Sequence, residues 1–232
     1  MFTVDKFTGV IFAAGKGTRM LPLTETRPKP LQVVSGKNLL EWKLEALPGV
    51  VHEVVFVIGY QGDQIKSYFG DVWNGKRIRY VVQAELNGTA GALWAARGVL
   101  SGRFLVMMGD DLYGKADVAS MFSYDFAVCV QEVTDREMGG EMILNPDGTF
   151  GGILEQKHYV KHGLVNTGMY MLDDRIFNYA PAPIGGSSTE LGLPHTLAIL
   201  AQDIPVAMHK ATKWFQVTTP LDLFRAEKEF IV

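Results

Sequence analysis

Short apolar runs alternate with segments of helical spacing through the first half of the chain. Val10 to Ala14, Glu53 to Ile58, Arg77 to Gln83 and Phe104 to Met108 have the length and make-up of strands. Between them, Asn38 to Ala46 sets Leu39, Leu40, Trp42 and Leu44 at helical spacing, and Gln61 to Phe69 and Thr89 to Val99 also read as helices. Strands alternating with helices predict βα units, a parallel sheet and helices on both of its faces. After Phe126 the pattern turns antiparallel. Phe126 to Val133 is strand-like, and Met142 to Leu144 and Thr149 to Leu154 flank Asn145-Pro146-Asp147-Gly148, a hairpin turn sequence. Gly168 to Leu172 is a further strand, Pro181 to Ser188 a loop, and Leu193 to Ala201 and Pro220 to Phe230 are helices. The expected fold class is α/β: a mixed, mostly parallel central sheet flanked by helices, with a small antiparallel part.

Composition narrows the function classes. A chain of 232 residues that is 47% apolar suits a large core and one α/β domain. It holds no apolar run of about 18 residues, so no membrane span is expected. Met1 to Thr8 carries Asp5 and Lys6 and lacks the apolar stretch of a signal peptide. Cys129 is the only cysteine and sits in an apolar run. That fits a reducing, cytoplasmic compartment and an inert core thiol. A net charge of −3 with interspersed signs gives no footprint for nucleic acid or membrane. No coiled coil or interface stripe is visible, which leaves a homo-oligomer open.

Candidate chemistry sits at three strand ends. In open α/β sheets, ligands bind outside the carboxyl ends of the strands, so these three segments should converge. The first loop holds Gly15, Lys16, Gly17, Thr18 and Arg19, then Arg27-Pro28-Lys29-Pro30. Backbone N–H groups in a glycine-rich loop, with cations beside them, suit a polyphosphate. Spacing excludes two common phosphate loops. Met20 stands where the dinucleotide fingerprint needs its third Gly, and Lys16 is followed by Gly17 rather than Ser or Thr. Taken alone, Gly-x-Gly after a strand is also an ordinary βα turn.

The second segment runs from Gln83 through Gly88 to Thr89. It reads either as a loop capped by Thr89 or as a base-recognition element. A carboxamide both donates and accepts, so Gln83 matches the imide edge of uracil or thymine, and Gly88 lets backbone come close to the base. The third is Gly109-Asp110-Asp111. A bare Asp pair at a strand end is most simply an Asx turn. Beside a polyphosphate nest it becomes a seat for Mg²⁺, which takes hard oxygen ligands and bridges phosphates. Asp110 is the favoured ligand. His158 and His162 follow Glu155-Gln156-Lys157 in what reads as a loop and show no metal-ligand spacing.

Gly15-x-Gly17-Thr18-Arg19-x-x-Pro22-Leu23-Thr24, followed by Arg27-Pro28-Lys29-Pro30-Leu31, resembles the signature of the sugar-1-phosphate nucleotidyltransferases. The segment from Gln83 to Ala92, Gly109-Asp110, Glu155-x-Lys157, Val165-Asn166-Thr167-Gly168-x-Tyr170 and Trp214-x-Gln216-Val217-x-Thr219-Pro220 look like that family's further elements. The resemblance runs from about Thr8 to about Ala226. It implies a Rossmann-like nucleotide-diphospho-sugar transferase fold over residues 1–232 as one domain. Residues from about 8 to 125 would form the nucleotide-binding half, and those from about 126 to 232 the sugar-binding half. No length would remain for an appended β-helix domain.

The resemblance also implies roles. Ala13, Ala14, Gly15, Lys16, Gly17, Thr18, Gln83, Gly88 and Thr89 would bind the nucleotide, with Gln83 favouring UTP or dTTP. Arg19, Lys29 and Asp110 would be catalytic, and Gly139, Glu155, Lys157 and Asn166 would face the sugar. Mg²⁺ would sit on Asp110. The chain departs from the pattern at Gln216, where the family has a carboxylate or Asn as second metal ligand, and a neutral Gln holds a cation more weakly. The implied reaction joins a sugar 1-phosphate to a nucleoside triphosphate and releases pyrophosphate. Alternatives are a mannose-1-phosphate guanylyltransferase-like enzyme, a phosphocholine cytidylyltransferase-like enzyme, or a regulatory nucleotide-binding protein with weakened turnover.

Overall fold

The computed structural model describes residues 7–138, 140–155, 157–185 and 188–231. Ten strands build the main sheet. They are β1 (Phe7–Ala13), β2 (Val51–Ile58), β3 (Val72–Trp73), β4 (Lys76–Val82), β5 (Arg103–Met108), β6 (Ala127–Met138), β7 (Glu141–Leu144), β8 (Phe150–Leu154), β9 (His158–Asp173) and β10 (Ala207–Lys210). Six helices accompany them: α1 (Leu39–Ala46), α2 (Gly62–Phe69), α3 (Thr89–Ala95), α4 (Lys115–Met121), α5 (Leu193–Leu200) and α6 (Pro220–Glu229). The spatial order is β8-β7-β9-β5-β1-β2-β4-β3, with β6 paired to β9 and β10 to β6. The expected mixed sheet is present. β1, β2, β4 and β5 run parallel to one another, and β9 runs antiparallel to β5 and to β6.

Period-two alternation divides the apolar residues between two faces. Val10 and Phe12 of β1, Val55 and Val57 of β2, and Phe104 and Val106 of β5 pack with Leu93 of α3 and Leu197 of α5. Their neighbours Ile11, Phe56, Leu105 and Met107 point the other way, onto Leu40 and Leu44 of α1, Ile65 of α2 and Val118 of α4. Burial on both sides is why these strands read as continuous apolar runs. A small third core, with Val34, Leu39, Leu112, Val217 and Phe230, seats α6. Cys129 is buried on β6, and burial pushes its thiol pKa up to about 12, as an inert core cysteine requires. Among the described residues no helix is long and apolar enough to cross a membrane.

Local signals start the helices. Asn38 caps α1 in a reciprocal box: the Glu41 backbone N–H donates to Asn38 Oδ1 at 2.9 Å, and Asn38 N–H donates to Glu41 Oε2 at 2.7 Å. α6 opens with Thr219, Pro220 at its first turn and the Asp222 carboxylate reaching back to Thr219 N–H at 2.8 Å.

Two expectations need correction. The helix from Thr89 stops at Ala95 and continues as a 3-10 turn over Arg97–Val99. The strand expected at Gly168 to Leu172 is the end of the sixteen-residue β9, which also contains His158 and His162. Those histidines are therefore on a strand, and His158 Nε2 lies 2.6 Å from Glu141 Oε2. The neighbouring polar residues Lys161 and His162 are both exposed and broke the apolar pattern. The register against β6 shifts between Asn166 and Tyr170, where β9 begins to pair with β5.

Asp117 ties α4 to the turn after β10. Its carboxylate accepts from Thr212 N–H at 3.0 Å, Lys213 N–H at 2.9 Å and Thr212 Oγ1 at 3.1 Å, and lies 3.2 Å from His209 Nε2. Burial alone would raise its pKa; the Thr212 and Lys213 amides, with His209 and the Thr212 hydroxyl, outweigh it and hold the group below the ordinary carboxylate range. A depressed pKa contributes stability that is present above the unfolded value and is lost as pH falls through the folded one. Asp117→Asn is expected to cost about 2–4 kcal/mol at pH 7 in urea denaturation. The difference from wild type should shrink below about pH 4.

Candidate active site

The loop after β1, the segment after β4 and the end of β5 meet, as their position at the strand ends predicts, and enclose a cavity of about 330 Å³. Ala13, Ala14, Gly15, Gly17, Thr18 and Arg19 line one side of it. Lys16 is exposed and does not line it. Gly17 has φ +62, and a Cβ there would lie 2.9 Å from Lys29 Cβ. The loop therefore closes onto Lys29 only because residue 17 has no side chain. Lys29 opens a 3-10 turn between Pro28 and Gln32. Its side chain is 8% exposed, and Nζ lies 2.7 Å from Asp110 Oδ2. Arg19, Lys29 and Asp110 thus share one cleft.

Gln83, Gly88 and Thr89 form the opposite wall. Gln83 is buried, and its Nε2 donates to the Gly88 carbonyl at 3.1 Å and to Asn87 Oδ1 at 3.2 Å. Gly88 has φ +99, and a Cβ there would meet the Leu191 carbonyl oxygen at 2.4 Å. The close approach that requires glycine is thus to the segment before α5. Thr89 does not cap α3: the cap position is Gly88, and Thr89 Oγ1 accepts from Leu193 N–H at 2.9 Å. That bond and Leu191 N–H to the Asn87 carbonyl at 2.7 Å fasten the start of α5 to the nucleotide-side wall. Glu190 and Thr218 also line the cavity. No sequence signal marked Glu190, and the segment holding Thr218 was marked for Gln216 instead.

Beneath the mouth lie two more charged side chains, Asp111, which the sequence marked beside Asp110, and Lys43, which it did not. Lys43 of α1 is 1% exposed, and its Nζ donates to the Leu39 carbonyl at 3.0 Å. Burial lowers its pKa to about 7, against the pull of Asp110 and Asp111 and with help from Lys29. Asp111 is buried and accepts from Trp214 Nε1 at 3.2 Å. Burial and the neighbouring Asp110 push its pKa well up, against Lys43, Lys29 and Trp214.

The remaining candidates lie apart from this cavity. Glu155 Oε1 is 3.2 Å from His195 Nε2. Lys157 is exposed. The Asn166 carboxamide is engaged locally, donating to the Tyr170 hydroxyl and accepting from Gly168 N–H at 2.9 Å. Gly139 lies outside the described residues. Gln216 is exposed, and Thr218, not Gln216, reaches the cavity wall. Among the described residues no three His, Cys, Asp or Glu side chains cluster as a metal cage.

Comparison with known proteins gives the family and the fold. The family model for nucleotidyl transferases matches residues 8–231, and the chain belongs to that family. It is 30% identical to the bifunctional protein GlmU of Methanocaldococcus jannaschii over 220 residues, which is 94% of this chain and 53% of that protein. The chain therefore spans about half the length of that curated relative. It is 32% identical to the UTP–glucose-1-phosphate uridylyltransferase AglF of Haloferax volcanii over 177 residues, 73% of each chain. The crystal structure of a putative glucose-1-phosphate thymidylyltransferase from Bacillus anthracis superposes with a TM-score of 0.80 at 22% identity, covering 96% of this chain and 94% of that one. The fold is thus that of the nucleotidyltransferases.

Lys43 supplies a test of this charge arrangement. Lys43→Met is expected to raise stability at pH 7 by about 1–3 kcal/mol, since a buried ammonium gives way to an apolar chain of similar length. Between about pH 7 and 10.5 the folded protein binds fewer protons at Lys43 than the unfolded chain does, so wild-type stability rises with pH across that window. Urea denaturation of both proteins should show the gap narrowing toward pH 10.

Proposed function

We propose that this chain is a sugar-1-phosphate nucleotidyltransferase using UTP or dTTP. The observation that carries the reading is the Lys29–Asp110 pair at 2.7 Å, sharing one cavity with Arg19 and Gln83. The sugar phosphate oxygen attacks the α-phosphorus, an oxygen–phosphorus bond forms, and the bond to the departing pyrophosphate breaks in line. The nucleophile is already an anion at pH 7, so the protein needs no general base. Repulsion between two anions is the barrier, and fixed positive charge lowers it. Lys29, buried and flanked by Pro28 and Pro30, offers its ammonium where the α-phosphate and the sugar phosphate meet. Arg19, exposed at the cavity rim, grips the β- and γ-phosphates. Gln83 Nε2 spends both of its hydrogens on Gly88 and Asn87, so the expected donate-and-accept pairing is reduced to one contact, the carboxamide oxygen accepting from the imide N–H of the base.

One carboxylate at the mouth, with substrate phosphates, is a donor set that Mg²⁺ accepts. Asp110 would hold the ion, which when bound supplies further neutralisation of phosphate charge. Gln216 would contribute at most a neutral oxygen. Glu155 and Lys157 would meet the sugar 1-phosphate. Asn166 would join them only after giving up its bond to Tyr170. The exposed Gln216 favours a second reading, a nucleotide-binding protein without turnover.

Pyrophosphate release, measured for UTP, dTTP, GTP and CTP against a panel of sugar 1-phosphates, separates these readings. Turnover with UTP or dTTP is expected. Turnover with GTP alone would overturn the base assignment, and binding without any release would support the second reading. Lys29→Ala should lower kcat by about 10²-fold or more while changing triphosphate affinity far less. An unchanged kcat would remove Lys29 from the reaction.

A further inference from the structure

We propose that Gln61 is a positioning residue for the triphosphate: its carboxamide latches the phosphate loop from outside the cavity and acts on the cations through Thr24. The proposal rests on the nucleotidyltransferase reading above for the identity of the ligand.

Gln61 precedes α2 and has φ +51, a left-handed conformation that side-chain-bearing residues rarely adopt. Ser35, Asn74 and Asp135 share this conformation; Ser35 and Asn74 each sit in a tight two-residue turn before a glycine that also has positive φ, and Asp135 lies inside β6. Gln61 sits instead at a junction between a strand and a helix, where no hairpin demands it. Such conformations persist only where the surroundings over-determine them, and they concentrate at ligand clamps.

Here the surroundings are the phosphate loop. Gln61 Nε2 donates to the Glu25 carbonyl at 2.8 Å and lies 3.4 Å from the Thr24 carbonyl. It also lies 3.1 Å from the Tyr60 hydroxyl, which itself donates to the Thr24 carbonyl at 3.2 Å. Gln64 Nε2 adds a bond to the Thr26 carbonyl at 2.9 Å. Tyr60 N–H holds the start of the same loop through the Ala14 carbonyl at 3.0 Å. One short junction thus pins the loop at both ends of its glycine-rich turn.

The inner face carries the effect to the cavity. Thr24 is 1% exposed, and its Oγ1 donates to the Gly17 carbonyl at 3.0 Å. Gly17 in turn rests against Lys29. None of these Gln61 side-chain hydrogen bonds goes to a cavity-lining residue, yet Gln61 fixes Thr24, Thr24 fixes Gly17, and Gly17 borders Lys29 and leads into Arg19. A loop ordered in advance spares the triphosphate the cost of ordering it.

Gln61→Gly removes the carboxamide but relaxes the backbone strain, two opposing effects, so Tm should move by no more than about 4 °C. Its Kd for Mg·UTP and Mg·dTTP should rise about five- to tenfold, the loss expected for one or two neutral hydrogen bonds. The KM for triphosphate should follow, while the KM for sugar 1-phosphate stays at the wild-type value. Gln61→Asn, which tolerates the left-handed region, should recover part of the affinity, and Gln64→Ala should weaken it by about two- to threefold. Trypsin cleavage after Arg19 in the nucleotide-free protein should be faster in Gln61→Gly than in wild type. An intact Tm with wild-type affinity and wild-type cleavage would overturn the latch. So would a parallel loss of Tm and of both KM values, since that pattern marks a purely structural residue. The cleavage arm needs neither nucleotide nor turnover, so the latch can fail in an active enzyme, and the nucleotidyltransferase reading can fail with the latch intact.

Discussion

The 2.7 Å contact between Lys29 and Asp110 is the constraint around which the rest of the site is arranged. It joins residues 81 positions apart in the chain. Forming it requires β1 and β5 to be adjacent and parallel, so that the loop leaving one and the turn leaving the other open on the same side. Asp110 is 39% exposed, which keeps the pair's contribution to stability small. Its consequence is placement. The carboxylate holds an otherwise flexible ammonium at the cavity mouth, with prolines on either side limiting its backbone.

Close approaches that exclude side chains hold the walls in register with this pair. Gly17 lets the phosphate loop settle on Lys29, and Gly88 lets the segment before α5 settle on the opposite wall. The Leu193 bond to Thr89 spans 104 positions. The cavity is therefore shaped by elements from both ends of the chain.

What the sequence made legible follows from burial. β1, β2 and β5 lie between two helical layers and show as unbroken apolar runs. β9 is buried on both faces only from Thr167 to Leu172; in its earlier part the neighbouring Lys161 and His162 are both exposed, and they hid that part of the strand. Arg19, Lys29, Gln83 and Asp110 were legible because local spacing, glycine and proline announce loops with chemistry at strand ends. Glu190 was not, since only tertiary packing brings it to the cavity, and in the marked segment after Trp214 the residue that reaches the wall is Thr218 rather than Gln216. Lys43 carried no signal of its own, and only the packing of α1 shows that it is turned inward, near Asp110 and Asp111. Thr89 looked like a helix cap, but the fold uses its hydroxyl to join two helices. Gln61 carries a backbone conformation that no residue pattern signals.

The single thiol of the chain, Cys129, is sealed inside β6 with its pKa raised to about 12. A thiol-directed dye would find almost no reactive background in the native protein. A cysteine introduced on an exposed surface position would thus be labelled selectively, so that a fluorophore or spin probe placed there reports on one chosen site without prior removal of native sulfur.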